Sequence, residues 1–141
     1  MNENWKKVKE SFIFKTDLVL KLTNKLKVSN KIDKSELEKT ENYSRQLKKA
    51  CTNNSFNKEA IKEVKEKTDL LNSHLARILV ELEFDFKLKK QEAIFSLCDQ
   101  LAAIENKIYA EIKKYNQICK NQNKEELMYN VAESKSPSVE F

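Results

Sequence analysis

His74 is the only histidine in the chain and is therefore the first candidate for acid–base chemistry. It lies beside Leu71 and Leu75 in a predicted helix, a placement more typical of a histidine at the edge of a core than of a catalytic base. Di-metal sites in helical bundles need a Glu-x-x-His motif on each of two helices. One histidine cannot supply two motifs, and residue 71 is leucine instead of glutamate, so the sequence excludes a di-iron carboxylate site.

Three cysteines, Cys51, Cys98 and Cys119, are far apart and form no C-x-x-C pair. A zinc site or a redox motif therefore has no support, and we expect neither a metal nor a cofactor. Each cysteine falls in a predicted helix near apolar neighbours, where a free thiol packs as a small hydrophobic group. A reducing compartment is the simplest interpretation, although an unpaired thiol does not exclude export.

Carboxylates on the predicted helices have ordinary structural interpretations. Glu81, Glu83, Glu105 and Glu111 are expected to be solvated or ion-paired. Glu105 and Asn106 lie beside the apolar positions of the last helix and are expected to form hydrogen bonds between helices. No residue type or spacing calls for catalysis, so the chain is predicted not to be an enzyme.

The elements that carry these residues follow from the composition. The chain has 141 residues, no glycine and one proline, and 35% of its residues are charged. Without glycine, phosphate-binding loops and tight β-hairpins lose their usual residue, which argues against Rossmann folds, P-loop folds and β-sandwiches. An abundance of Glu, Lys and Leu is typical of long helices. No apolar run reaches 18 residues and no signal peptide begins the chain, so we expect it to be soluble as written.

Apolar residues at steps of three and four predict the helices. The first runs from Trp5 to about Leu26, and residues 28–34 either break it or bend it. Ser35 and Glu38 form a capping-box pattern that opens a second helix to about Ala50. Residues 52–57 are predicted to be a loop, with Asn57 capping the third helix.

The third helix has the most regular seam, by which we mean the line of apolar positions along one face of a helix. A fourth helix is expected to reach about Met128. The seam positions of the third helix are Ile61, Val64, Thr68, Leu71, Leu75, Ile78 and Leu82. Those of the last helix are Leu88, Ile94, Leu97, Leu101, Ile104, Ile108, Ile112, Tyr115 and Ile118. These patterns predict an all-α fold, an elongated antiparallel bundle of three to four long helices. Residues 1–128 would form a single domain, and residues 129–141 a mobile C-terminal tail.

The net charge of +5 comes from lysine, since only Arg45 and Arg77 are arginines. A shortage of arginine disfavours nucleic-acid recognition, whereas diffuse lysine charge suits weak attraction to anionic lipid. Near the N-terminus, lysines at 6, 7, 9 and 15 surround an aromatic cluster. This cluster (Trp5, Phe12, Ile13 and Phe14) either packs in the core, which is the favoured interpretation, or contacts a membrane interface.

Two blocks of sequence resemble the LemA family of helical-bundle proteins. In the first, Trp5, Val8, Phe12, Lys15, Asp17, Leu18, Val19 and Leu22 are in step with the family pattern. The second runs from Leu75 to Asn116, and its most specific part is the spacing of Glu105-Asn106-Lys107-Ile108 and Tyr115-Asn116. Leu20 and Phe86 stand where the family has helix-breaking prolines. Family members also carry a membrane-spanning helix just ahead of the Trp, whereas this chain begins four residues before Trp5.

The resemblance implies a non-enzymatic, bacterial, envelope-associated domain that acts as a scaffold or a membrane-proximal interaction protein. Its expected partners are an anionic membrane surface or a protein. The residues to which it assigns structural roles are Trp5, Asp17, Leu18, Glu105, Asn106, Tyr115 and Asn116. The alternative is a soluble helical adaptor that binds partner helices through an exposed apolar seam. A lysine-driven nucleic-acid binder is the third and least favoured hypothesis.

Overall fold

The computed structural model describes residues 1–129 and consists of helices joined by short turns. Four helices are long: α1 (Asn2–Ser29), α2 (Lys34–Cys51), α3 (Lys58–Glu83) and α5 (Glu92–Asn121). The short helix α4 (Phe86–Lys89) lies between α3 and α5, and a 3-10 turn (Glu125–Leu127) follows α5. No strand occurs within residues 1–129, so the predicted all-α class is confirmed.

The helices pack as an antiparallel bundle. Helix α1 lies between α2 and α5, and α2 also packs against α3. Contacts between α1 and α5 pair Ser11 with Glu111 and Lys15 with Glu105, so one helix ascends while the other descends. Helices α3 and α5 are not in close contact along their length, and a groove separates them.

Both predicted seams form the core. All seven seam positions of α3 are buried, from Ile61 to Leu82. On the segment from Leu88 through α5 the predicted positions are buried as far as Tyr115, whereas Ile118 is only partly buried and Cys119 takes its place. A single apolar cluster contains residues of all four long helices. Burying these side chains is the main favourable contribution to folding, at about 25 cal/mol per Å² of apolar surface.

A break separates α1 from α2, which settles the alternative between a break and a bend. Asn30 ends α1 in the left-handed conformation, with φ of 62°, and its N–H bonds the carbonyl of Lys27. Asparagine tolerates this conformation better than other non-glycine residues, so it fills the role that glycine has at most helix ends. Leu20, at a position where the family pattern has proline, continues α1 without interruption.

The predicted cap of α2 is wrong, whereas that of α3 is confirmed. Helix α2 begins at Lys34, and Asp33 accepts a hydrogen bond from the Ser35 N–H. Aspartate is an effective cap because its carboxylate also faces the positive end of the helix dipole, and this places the start one residue before Ser35. Asn57 caps α3 through the N–H of Ala60, at 2.8 Å, after the expected loop.

Helix α5 is shorter than expected. It ends at Asn121 instead of continuing to Met128, and Asn123 adopts the left-handed conformation with φ of 57°. The chain then folds back, and Tyr129 is only 5% exposed. Tyr129 therefore belongs to the core and not to the predicted tail, because its ring packs on buried aromatic residues. The rest of that prediction, residues 130–141, lies outside the described residues.

Candidate functional site

Lys15 lies at the centre of the bundle and is completely buried. Its Nζ donates to Asn72 Oδ1 of α3 at 2.5 Å and lies 2.9 Å from Glu105 Oε2 of α5. Burial lowers the pKa of Lys15, and the charge and hydrogen bond of Glu105 oppose that shift. The interpretation of Lys15 as one of the lysines that could face lipid phosphates is wrong, because its amine instead links three helices.

His74 is part of a second polar cluster, between α2 and α3. Its Nδ1 lies 2.6 Å from Glu36 Oε2, and its ring stacks on Tyr43 with 4.9 Å between ring centroids. Arg77 approaches the other oxygen of Glu36 at 3.6 Å. The hydrogen bond from His74 is the main cause that lowers the pKa of the Glu36 carboxyl. His74 is partly buried at the edge of the core, as the sequence predicted, and it joins two helices.

Tyr115 and Asn116 hold the segment that follows α5. The Tyr115 hydroxyl donates to the carbonyl of Leu127 at 2.7 Å. The Asn116 amide bonds both backbone groups of Tyr129, accepting from its N–H at 2.8 Å and donating to its carbonyl at 2.7 Å. Because a side-chain amide matches the donor and acceptor of a peptide group, this pair resembles one rung of a β-ladder. The Tyr-Asn pair predicted to be structural therefore anchors the C-terminal segment.

Trp5 lies in an aromatic cluster at the end of the bundle that carries Met1. Its ring centroid is 5.2 Å from that of Tyr115 and 6.3 Å from that of Tyr129, which also packs 5.9 Å from Phe12. Trp5 and Phe12 are buried, as the favoured core interpretation predicted, whereas Ile13 is partly buried and Phe14 is 51% exposed. Burial also raises the pKa values of Tyr115 and Tyr129.

The remaining predicted structural residues differ in their surroundings. Leu18 is buried in the core. Asp17 forms an ion pair with Lys48 of α2 at 3.1 Å, and both side chains are almost half exposed. Asn106 is exposed, and no hydrogen bond between helices in residues 1–129 involves its side chain. The contact expected for Asn106 is therefore wrong, because its position on α5 faces away from α1.

Sequence reasoning missed two members of these clusters, Asn72 and Tyr129. Asn72 follows a buried leucine on α3 and looked like an ordinary polar surface residue, and Tyr129 stood at the start of the assumed tail. An available signal was the isolated lysine at position 15, which lies on the apolar face of α1 between Phe12 and Leu18. A lysine in such a place needs an acceptor on a neighbouring helix.

The thiols and carboxylates of residues 1–129 form no cluster suited to a metal ion. Burial raises the pKa of Cys51 to about 12 and also raises the pKa values of Cys98 and Cys119. A thiol with a raised pKa is a poor nucleophile at neutral pH. Among the helices of the described region, none is apolar over enough of its length to cross a bilayer.

Large apolar side chains are exposed at the end of the bundle opposite Met1. Val80, Phe84, Phe86 and Phe95 are between 55% and 87% exposed, and all lie around the connection from α3 to α5. We call these four residues the apolar tip. The groove between α3 and α5 begins beside it, because Phe95 is also part of the groove lining. Large apolar side chains exposed together at one end of a protein are typical of interaction sites.

Charge is distributed unevenly between the two ends. The Met1 half, residues 1–14, 45–67 and 107–126, contains 15 Lys and Arg residues and 8 Asp and Glu residues. The distal half, residues 15–44 and 68–106, contains 11 Lys and Arg residues and 12 Asp and Glu residues. The excess of positive charge is therefore concentrated at the end that carries Met1. The apolar tip lies at the opposite end, which has no such excess.

Comparisons with known proteins gave one match. The profile of the LemA family matches residues 4–141, which is nearly the whole chain. Neither the search of curated proteins nor the search of solved structures gave a match.

Proposed function

The chain belongs to the LemA family, and on that basis we propose that it is a non-enzymatic, membrane-proximal scaffold of the bacterial envelope. In this role the Met1 half faces an anionic lipid surface and the distal half is presented to a protein partner. The observation that carries the proposal is the uneven charge, with 15 basic and 8 acidic residues in the Met1 half. Basic residues near an anionic surface contribute about 1 kcal/mol each to binding.

The surroundings of the polar residues support a non-catalytic role. Lys15, His74 and Tyr115, which carry the groups best suited to chemistry, each contact a neighbouring helix or the C-terminal segment. A general base must be free to reach a proton on a substrate. In this bundle the hydrogen-bonding capacity of these side chains is used to join helices, which is what a rigid scaffold requires.

Vesicle co-sedimentation tests the proposal. The protein should bind vesicles that contain phosphatidylglycerol more strongly than vesicles of phosphatidylcholine alone, and added salt should weaken the binding. Charge reversal in the Met1 half, Lys113→Glu with Lys114→Glu, should reduce binding about tenfold or more, because both side chains are exposed.

A matched control separates charge position from total charge. Lys21→Glu with Lys25→Glu removes the same charge from exposed positions of the distal half and should leave most of the binding intact. Equal losses in the two variants would show that only net charge matters, and the proposed orientation would be wrong. Absence of binding at low salt would overturn the membrane-proximal role altogether.

The apolar tip favours a second candidate, an adaptor that binds helices of partner proteins without any membrane. In a soluble adaptor the tip would still be needed, whereas the uneven charge would have no role. Vesicle binding therefore discriminates between the two candidates. A lysine-driven nucleic-acid binder would instead be retained on duplex DNA in a salt-sensitive manner.

A further inference from the structure

The groove between α3 and α5 has an apolar floor. Leu75, Leu82 and Leu101 line it and are buried, and Leu79 and Cys98 are partly buried. Phe95 forms one wall and is 59% exposed. Because α3 and α5 do not pack closely against each other, the apolar surface that solvent reaches consists of Leu79, Cys98 and Phe95, which lie above the buried leucines. Apolar grooves are the sites at which amphipathic helices bind in known protein complexes.

The rim of the groove is acidic, in contrast to the basic Met1 half. Glu83 lies on the α3 side, and Asp99 and Glu105 on the α5 side, whereas Lys89 is the only basic residue of the lining. Lys89 is paired with Glu83, and Glu105 contacts the buried Lys15. Of the three carboxylates, that of Asp99 is therefore the least compensated by neighbouring positive charge. An acidic rim in a chain with a net charge of +5 favours a basic partner.

We propose that this groove binds a basic amphipathic helix of a partner protein. The inference rests on the proposed scaffold function and names the chemistry of its partner. Leucine-like side chains of the helix would pack on Leu79, Cys98 and Phe95, and its lysines or arginines would face Asp99 and Glu83. An anionic membrane is a poor occupant, because the acidic rim is repelled by lipid phosphates. A second copy of the chain would bring two acidic rims together.

The cleft between α1 and α5 is the natural comparison. Its charged residues are balanced, with Lys7 and Lys107 facing Glu10 and Glu111, so it lacks the complementarity of the α3–α5 groove. Phe14 lines that cleft and is 51% exposed, close to the exposure of Phe95. Phe14→Ala is therefore a matched control for Phe95→Ala.

The test uses a synthetic helix of about 18 residues, or five turns, built from leucine and lysine in amphipathic spacing. Its counterpart replaces every lysine with glutamate. The dissociation constants for the full chain are measured by fluorescence anisotropy, and alkylation of Cys98 in the groove serves as an independent readout. We expect the lysine helix to bind at least tenfold more tightly than the glutamate helix and to slow Cys98 alkylation at least fivefold.

Substitutions in the groove locate the binding. Phe95→Ala and Asp99→Lys should each weaken binding of the lysine helix about tenfold, whereas Phe14→Ala should have less than a twofold effect. The circular dichroism of all three variants checks that they fold. Equal binding of the two helices, unprotected Cys98, or a larger effect of Phe14→Ala than of Phe95→Ala would each overturn the inference.

Vesicle binding distinguishes this inference from the membrane role. If the lysine helix fails to bind while vesicles still bind, the groove inference is wrong and the membrane-proximal role stands. If vesicles do not bind and the lysine helix does, the membrane-proximal role is wrong and the groove inference stands. Loss of vesicle binding in Phe95→Ala would show that the groove faces lipid, which also contradicts the inference.

Discussion

Lys15 and Glu105 lie on neighbouring antiparallel helices with 2.9 Å between Nζ and Oε2, although the lysine side chain is completely buried and the glutamate side chain is 44% exposed. The pair therefore spans the boundary between the core and solvent. A buried charge that loses its partner is costly, whereas a solvated carboxylate is not. The two residues should consequently respond very differently to substitution.

Glu105→Gln should lower the free energy of unfolding by about 1 to 2 kcal/mol, because Lys15 would remain buried with its charge uncompensated. Lys15→Met should cost less than about 1 kcal/mol, since methionine fills a similar volume without a charge. In the Lys15→Met background, Glu105→Gln should have almost no effect. Urea denaturation followed by circular dichroism measures all three variants, and additive losses in the double variant would disprove the coupling.

The Asp17–Lys48 pair supplies the control for this effect, because both side chains are almost half exposed. Asp17→Asn should change the free energy of unfolding by less than about 0.5 kcal/mol. The same urea titration applies. A loss as large as that of Glu105→Gln would mean that burial of the lysine does not determine how much free energy of unfolding is lost with its partner.

Asn116→Ala should release the C-terminal segment, because two hydrogen bonds to the backbone of Tyr129 are lost. We expect a loss of about 1 to 3 kcal/mol in the free energy of unfolding and faster hydrogen exchange around residues 127–129. Asn106→Ala is the matched control on the same helix, and it should stay within about 0.5 kcal/mol of the wild type because Asn106 is exposed. Similar exchange rates in the two variants would rule out the anchoring role of Asn116.

Glu36→Gln should remove part of the pH dependence of stability. Folding lowers the pKa of Glu36 from its ordinary value of 4.5. The carboxylate therefore contributes stability that is fully present above the unfolded-state pKa and is lost as the pH falls through the folded-state pKa. The wild type should exceed the variant by about 1 to 2 kcal/mol at neutral pH. Below pH 4.5 the difference should shrink. A difference that grows on acidification would reverse the assigned sign.

Cysteine reactivity should separate the three thiols. Cys51 and Cys119 are buried, Cys98 is partly buried in the groove, and the pKa of Cys51 is raised to about 12. In the native protein at pH 8, a thiol reagent should label Cys98 first and the other two only in urea. Mass spectrometry counts the labels, and Cys98→Ser should abolish the early label. Early labelling of Cys51 would contradict its burial.

Periodicity was sufficient to predict the helices but not the polar contacts between them. The steps of three and four from Ile61 to Leu82 required only that one face of α3 be apolar, and every one of those positions is buried. Asn57 was predictable as a cap because capping depends on residues close in sequence. The cap of α2 was predicted at Ser35 although Asp33 fills that role, because aspartate and serine two positions apart are both good caps and local pattern does not choose between them.

Contacts that join distant residues were beyond the reach of the pattern. The partnership of Lys15 with Asn72 spans 57 positions, and that of Asn116 with Tyr129 needs the chain to reverse at Asn123. Asn106 carries the same residue type as Asn116 and belongs to the same resemblance, yet it is exposed. Asn116 has a partner because the segment that folds back after Asn123 brings the backbone of Tyr129 to it, and the sequence pattern did not reveal that reversal.

The length of α5 has a mechanical consequence. At 30 residues it is about 45 Å long, and α1 is antiparallel to it over most of that distance. In the proposed role the bundle would serve as a rigid spacer between its basic end and its apolar tip. Anything bound at the tip would stand roughly 45 Å from a surface contacted at the other end. That distance is several Debye lengths, so the charges of the surface would be screened there.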